Sequence, residues 1–152
     1  MKYNYTKHFK DKKISLIIQE KNLLNSQSNC KIFRIREESL IATFDVSPTS
    51  LSPIYKVKIK YKKKERISVF VVDPKTLTLA EIKKTLPHVY STPQQKLCLY
   101  YPKDMEFNPL TVLWVESLVK WINEWFFYYE IWLINGGEWL GPEIKHDDEK
   151  EK

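Results

Sequence analysis

Hydrophobic and polar residues follow two successive periods along the first half of the chain. Between residues 14 and 24 the apolar side chains recur every three or four positions and no proline intervenes, which predicts an amphipathic helix. Extended segments with alternating polarity follow at residues 31–35, 40–46, 55–61 and 67–72. Because the links between them are short, we expect a four-strand antiparallel meander packed against the helix.

Regular patterning stops after residue 73 and returns only near residue 110. The connection contains Pro74, Pro87, Pro93, Pro102 and Pro109. So long an irregular stretch inside a compact domain is usually functional. Asn108 and Pro109 are residue types typical of a helix N-cap and first helical position, so a long C-terminal helix is predicted from there to about residue 134.

The predicted C-terminal helix carries more aromatic residues than one buried stripe requires. Its apolar residues recur at spacings of three or four: Val115, Leu118, Ile122, Trp125, Tyr129 and Trp132. The additional aromatic residues indicate either a helix covered on two sides or a face that binds a partner protein. We favour the first interpretation.

Composition limits the chain to one domain. Its 152 residues, 43% of them hydrophobic, suffice for one core, and residues 1–145 are predicted to form it. Residues 146–152 lack apolar side chains and are predicted to be disordered. Residues 1–13 resemble neither a secretory signal nor a membrane anchor, and residues 112–133 are too polar for a membrane span.

The two cysteines, Cys30 and Cys98, are too few for a disulfide framework. No closely spaced Cys or His pair offers metal ligands, so we expect free thiols in a cytoplasmic protein without metal or cofactor. Cys30 has no motif around it and is interpreted as a packing residue. A lone cysteine flanked by leucines, as Cys98 is, is usually buried and inert.

The net charge of +6 and the cationic run at residues 56–66 are features of some nucleic-acid-binding domains. Within the run, however, lysine alternates with apolar residues, as on the solvent face of a half-buried strand. No recognised nucleic-acid-binding motif accompanies the charge. We therefore favour the strand interpretation and do not expect nucleic acid among the partners.

The order of motifs in the second half resembles that of the ubiquitin-conjugating enzymes. In that family a His-Pro-Asn triplet precedes an Ile/Leu-Cys-Leu catalytic segment, and a Trp-Ser-Pro element follows. The corresponding positions here are His88, Leu97-Cys98-Leu99 and Phe107-Asn108-Pro109. The resemblance is closer to the bacterial branch found in CBASS, the cyclic-oligonucleotide anti-phage signalling systems. The segments that carry it are residues 46–48 and 55–57, 87–91, 97–102, 121–132 and 137–141.

This resemblance implies an α+β, ubiquitin-conjugating-enzyme-like fold with an N-terminal helix, a four-strand meander, an active-site loop and a long C-terminal helix. It also implies an acyl carrier, in which Cys98 forms a thioester with the C-terminus of a partner cGAS-like nucleotidyltransferase and transfers it to an amine, priming second-messenger synthesis. ATP-dependent activation is expected to occur on another protein.

The chain departs from the family at the oxyanion donor. Two residues after His88, the family's Asn is replaced by Tyr90, whose phenol can donate a hydrogen bond to an oxyanion. The resemblance implies that His88 mainly braces the loop. Lys96 and Lys103 can lower the pKa of Cys98 electrostatically. The alternative function is a non-catalytic module that keeps the fold and only holds a protein partner.

Overall fold

The computed structural model describes residues 12–100 and 107–143. Its helices are α1 (Leu16–Ser26) and α2 (Leu118–Ile134), and its strands are β1 (Ser28–Ile35), β2 (Ser39–Val46), β3 (Tyr55–Lys62), β4 (Ser68–Asp73), β5 (Val89–Ser91) and β6 (Lys96–Leu97). Within the described ranges the strands form one antiparallel sheet in the order β1-β2-β3-β4-β6-β5. The α+β class and both helices are confirmed, whereas the tail at residues 146–152 lies outside the described residues.

Strands β1 to β4 form the predicted meander. Ser39 pairs with Lys62 and Val46 with Tyr55, so β2 and β3 align over their full length. One face of the sheet is buried: Leu40, Ala42, Phe44, Val46, Val57, Ile59, Val69 and Val71. The β3 lysines alternate with these positions and lie on the outer face. The interpretation of the cationic run as a half-buried strand is confirmed.

Strand β1 begins earlier than predicted, at Ser28. The predicted strand starts at residue 31, but Asn29 already adopts a left-handed φ of 51° and donates a side-chain hydrogen bond to Asp45 on β2 (2.6 Å). A bulge between Ser28 and Lys31 absorbs the irregularity. Cys30 therefore lies within the strand, half-buried, rather than ahead of it.

The long connection after β4 contains regular structure that the sequence did not predict. Strand β6 pairs with β4 through Phe70 and Lys96, and β5 pairs with β6 through Val89 and Leu97. The four-strand meander is therefore part of a larger sheet. Strands of three and two residues are too short to show a period, so only the pairing of distant segments reveals them.

Helix α2 begins at Leu118, so the predicted helix start at Asn108 is wrong. The Asn108 side chain instead accepts a hydrogen bond from the backbone N–H of Leu110 (2.9 Å), which closes a turn. A short 3-10 helix, Trp114–Glu116, precedes α2.

A buried amide on α1 explains this late start. Gln19 has no exposed surface; it donates to the carbonyl oxygen of Val112 (2.7 Å) and accepts from the backbone N–H of Trp114 (2.9 Å). These backbone groups are hydrogen-bonded to α1 instead of to a helical neighbour. Tertiary contacts thereby override the local helix-start signal.

Helix α2 is covered on two sides. The Tyr55 ring stacks on Phe126 with centroids 4.2 Å apart, which joins the helix to the sheet. On another side, the Tyr129 hydroxyl donates to the carbonyl of Thr78 (2.6 Å) in the long connection, and burial raises the pKa of Tyr129 to about 12. The two-sided core interpretation of the aromatic residues is confirmed for the buried ones: Trp125, Phe126, Tyr129 and Trp132.

The side chain of Gln95 fastens the long connection to β4. Its Oε1 accepts from the backbone N–H of Leu77 (2.6 Å), and its Nε2 donates to the carbonyls of Val71 (3.0 Å) and Pro74 (3.1 Å). The residue is 3% exposed and has a left-handed φ of 53°. That conformation is uncommon for a residue other than glycine, so these hydrogen bonds hold the backbone in place.

We predict that Gln95→Ala lowers the free energy of unfolding by about 2 to 3 kcal/mol, because it leaves buried backbone groups without their partners. Urea denaturation measures the change. The exposed neighbour Gln94 provides the matched control, and Gln94→Ala should change stability by less than about 0.5 kcal/mol. Equal effects of the two substitutions would contradict the bracing role of Gln95.

Candidate active site

Strands β5 and β6 bring His88 and Cys98 together. The Cys98 backbone N–H donates to the His88 carbonyl at 3.0 Å, next to the pair formed by Val89 and Leu97. The Cys98 side chain is fully buried, and its Sγ lies 3.9 Å from the carbonyl oxygen of Tyr100, a contact typical of a weak thiol donor. The thiol is therefore held inside the fold by two short strands.

Tyr90 on β5 makes a side-chain hydrogen bond with Cys98. Burial is the main cause that raises the pKa of the Tyr90 hydroxyl, and the hydrogen bond and charge of Cys98 raise it further, whereas the nearby Arg66 acts in the opposite direction. A phenol with a raised pKa keeps its proton at neutral pH. Tyr90 can therefore donate to a thiolate, or to an oxygen anion formed beside it.

His88 contacts its surroundings through both its backbone and its ring. Its left-handed φ of 46° turns the chain, and the Trp125 indole N–H donates to the carbonyls of both Pro87 and His88 at 3.2 Å. The ring Nε2 lies 3.5 Å from a carboxylate oxygen of Glu143, and the ring centroid lies 4.8 Å from that of Trp139. No motif in the sequence predicted that Glu143 would contact this cluster.

Two cations lie beside Tyr90. The Lys96 ammonium is 5.5 Å from the centroid of the Tyr90 ring, while Lys103, the other predicted cation, lies outside the described residues. Arg66 is close enough to oppose the raised pKa values of both Tyr90 and Tyr100. Sequence reasoning missed Arg66, because its proximity depends on the sheet order that places β6 next to β4.

A partly open cavity of about 110 Å³ lies beside the chain segment that contains Cys98. Leu97 and Leu99, the two neighbours of Cys98, contribute apolar walls, and the rings of Tyr90 and Tyr100 also line it. Tyr90 both lines the cavity and hydrogen-bonds with Cys98.

Cys30 provides an internal comparison. It is half-buried on β1, and burial raises the pKa of its thiol. A raised pKa lowers the thiolate fraction and hence the nucleophilicity at neutral pH. This setting fits the sequence-based interpretation of Cys30 as a packing residue.

The cationic face of the sheet is partly neutralised. Lys56 forms a 2.9 Å ion pair with Asp45, and the Lys58 ammonium lies 5.3 Å from the centroid of the Phe70 ring.

Among residues 12–100 and 107–143, no group of three or more His, Cys, Asp or Glu side chains could hold a metal ion. In these ranges, neither helix combines the length and the apolar character that a membrane span requires.

Comparison with known proteins identifies the family. The family model for the type II CBASS E2 protein matches residues 19–147, a range that includes His88, Tyr90 and Cys98. A search of curated proteins found no match. The match covers most of the chain and confirms the resemblance to the bacterial CBASS branch. The chain therefore belongs to the type II CBASS E2 protein family.

Proposed function

We propose that this E2 protein is a cysteine-dependent acyl carrier with the fold of a ubiquitin-conjugating enzyme, and that Cys98 is its nucleophile. The observation that carries the proposal is the side-chain hydrogen bond between Cys98 and Tyr90. A sulfur atom beside a protonated phenol has a donor that stabilises its anionic form, which is the reactive form of cysteine. Cys30 lies on β1, at the opposite edge of the sheet.

The reaction has two acyl-transfer steps. The Cys98 thiolate attacks the carbonyl carbon of a C-terminus activated as an adenylate or a thioester; a C–S bond forms and the bond to the leaving group breaks. An amine nitrogen then attacks the thioester carbonyl, so that an amide bond forms, the C–S bond breaks and the thiolate is regenerated. The amine loses its proton to solvent or to a nearby base.

Tyr90 and His88 have different roles in this proposal. The Tyr90 hydroxyl donates first to the thiolate and then to the oxyanion of each tetrahedral intermediate, in place of the asparagine amide of the ubiquitin-conjugating enzymes. His88 acts as a positioning residue, since its backbone carbonyl accepts from the Cys98 N–H. The ring of His88 joins the C-terminal segment to this loop through Glu143 and Trp139.

Membership of a CBASS family implies a protein partner in that system. We propose that the partner is a cGAS-like nucleotidyltransferase, that its C-terminus is the acyl donor, and that the transfer primes second-messenger synthesis in the cytoplasm. The thioester and its donor are testable without knowledge of the target amine.

A non-catalytic binding module is the second candidate, and the burial of Cys98 favours it. A thiol with no exposed surface resembles the usual inert cysteine of a core. Under this alternative, the E2 fold would hold the partner without forming a covalent bond, and Cys98 would be replaceable.

We predict that the protein, when co-expressed with the partner nucleotidyltransferase, carries a covalent adduct that a reductant removes. The Cys98→Ser substitution should convert this adduct to a reductant-resistant ester or abolish it. An oxygen ester does not exchange with thiols, which is the physical reason for the difference. Intact-mass analysis and non-reducing gels measure both forms.

Cys30→Ser is the matched control and should retain the reducible adduct. An adduct that depends on Cys30 would contradict the assignment. Absence of any adduct, together with unchanged partner binding and anti-phage activity in Cys98→Ser, would establish the binding module instead.

We predict that Tyr90→Phe slows thioester formation and transfer about a hundredfold, because it removes one donor to the developing anion. Single-turnover assays of purified thioester measure the rates. Since the pKa of Tyr90 is raised, the phenol stays protonated through the neutral range, and the wild-type to variant ratio of transfer rates from the thioester should not change from about pH 7 to about pH 9.

Tyr100→Phe is the control for this prediction. It removes a second phenol from the same cavity but keeps the Tyr100 backbone carbonyl that contacts Cys98. Its rate should stay within about threefold of the wild type. Equal losses in the two variants would show that Tyr90 has no specific role.

A further inference from the structure

Lys96 lies two residues before the candidate nucleophile. It begins β6, and Cys98 directly follows this two-residue strand and continues its pairing, because the Cys98 N–H donates to the His88 carbonyl. Side chains two positions apart on an extended chain point to the same side, and their backbones are about 6.6 Å apart at 3.3 Å per residue. The half-buried Lys96 has a flexible four-carbon stem that covers a distance of this order. An acyl group on Cys98 therefore lies within reach of the Lys96 amine.

The side chain of Tyr90 contacts both groups. Its hydroxyl shares a hydrogen bond with Cys98, and the Lys96 ammonium lies 5.5 Å from the centroid of its ring, which is a cation–π distance. One aromatic side chain thus holds an amine at its ring and a sulfur at its hydroxyl. This observation is independent of the spacing along the strand and indicates the same proximity of amine and sulfur.

Lys58 has the same kind of ring contact but lies further from Cys98. It is also half-buried, and its ammonium lies 5.3 Å from the centroid of the Phe70 ring. Lys58 on β3 pairs with Phe70 on β4, and Phe70 pairs with Lys96 on β6, so the three residues form one row across the sheet. Two strand spacings, about 9.6 Å, separate the two lysines. Lys58 therefore matches Lys96 in charge, burial and ring contact, but not in its distance from the sulfur.

We propose that Lys96 is an intramolecular acceptor for the acyl group carried by Cys98, which makes Lys96 a site of self-modification. The inference rests on the thioester function proposed above and names one amine for its second step. The neutral Lys96 amine attacks the thioester carbonyl carbon; a C–N bond forms, the C–S bond breaks and the sulfur leaves as a thiolate. The proton that the nitrogen loses passes to the thiolate or to solvent. The product is an amide, which a reductant does not cleave.

Proximity is the physical reason why this amine competes with water for the thioester. A group held beside the reacting atom has an effective molarity well above the concentration of any free amine. The Tyr90 hydroxyl serves this transfer as it serves the others, by donating to the oxyanion of the tetrahedral intermediate. Transfer to Lys96 therefore needs no further protein.

A short glycine-terminated peptide thioester of 2-mercaptoethanesulfonate tests the proposal on the full-length protein. The Cys98 thiolate attacks the peptide carbonyl and displaces the mercaptoethanesulfonate thiolate, after which the excess donor is removed. Intact mass before and after reductant separates the thioester from the amide, and tandem mass spectrometry locates the amide. Dilution of the loaded protein shows whether the transfer is intramolecular, because a first-order rate does not depend on concentration.

We expect the amide at Lys96 to exceed that at Lys58 by about tenfold or more, and to form at a rate independent of protein concentration. Lys96→Arg keeps the positive charge, but its guanidinium stays protonated and does not attack the thioester. This substitution should lower the amide formed per thioester loaded by about tenfold or more. Lys58→Arg is the matched control and should leave this ratio unchanged. Should Lys96→Arg fail to fold, Lys96→Gln replaces it.

The outcomes separate the acceptor from the carrier. Hydrolysis of the Cys98 thioester without an amide at Lys96 would overturn the acceptor role and leave the acyl-carrier function intact. An amide that forms equally at Lys58, that forms at the same rate in Cys98→Ala, or whose rate rises with protein concentration would also overturn it. No Cys98 adduct, either with the peptide thioester or with the partner nucleotidyltransferase, would overturn the proposed function and this inference together.

Discussion

The amide of Gln95 is the interaction on which the geometry of the site depends. It ties the backbone at Leu77 and Pro74 to Val71 on β4, and its own backbone carbonyl accepts from the Val71 N–H at 3.0 Å. Because Lys96 follows it directly and begins β6, the position of Gln95 fixes where β6 meets the sheet. Cys98 lies three residues after Gln95, so the hydrogen bonds of Gln95 also fix the location of Cys98.

The environment around Cys98 combines features that have opposite effects on a thiolate. Full burial disfavours a charged sulfur, while the hydrogen bond with the Tyr90 phenol favours it. For Cys30, burial raises the pKa of the thiol, and no hydrogen-bond donor to its sulfur is found among residues 12–100 and 107–143. The contrast between the two cysteines explains why position within the sheet, more than residue type, distinguishes a candidate nucleophile from a packing residue.

Helix α2 connects the core to the loop that carries the site. Trp125 is buried against Tyr129, with the two rings stacked at 5.2 Å between centroids, yet its indole N–H reaches the carbonyls of Pro87 and His88. The same aromatic cluster extends to Trp139, which contacts the His88 ring. The aromatic content of the helix therefore serves two packing surfaces, and one of them positions the histidine next to the cysteine segment.

Residue patterning was enough to predict the elements whose side chains alternate between core and solvent: α1, strands β2 to β4 and the buried stripe of α2. Its motifs also identified the family and nominated Cys98, His88 and Tyr90, whose catalytic roles stay predictions. Only contacts in the folded chain established the start of α2, the strands β5 and β6, the bracing amides of Gln19 and Gln95, and the place of Arg66 beside Tyr90. The physical reason is that periodicity records how each residue faces the core within its own element. Hydrogen bonds between distant segments depend instead on which parts of the chain meet, and neither a two-residue strand nor a single buried glutamine leaves a local pattern that reveals its partner.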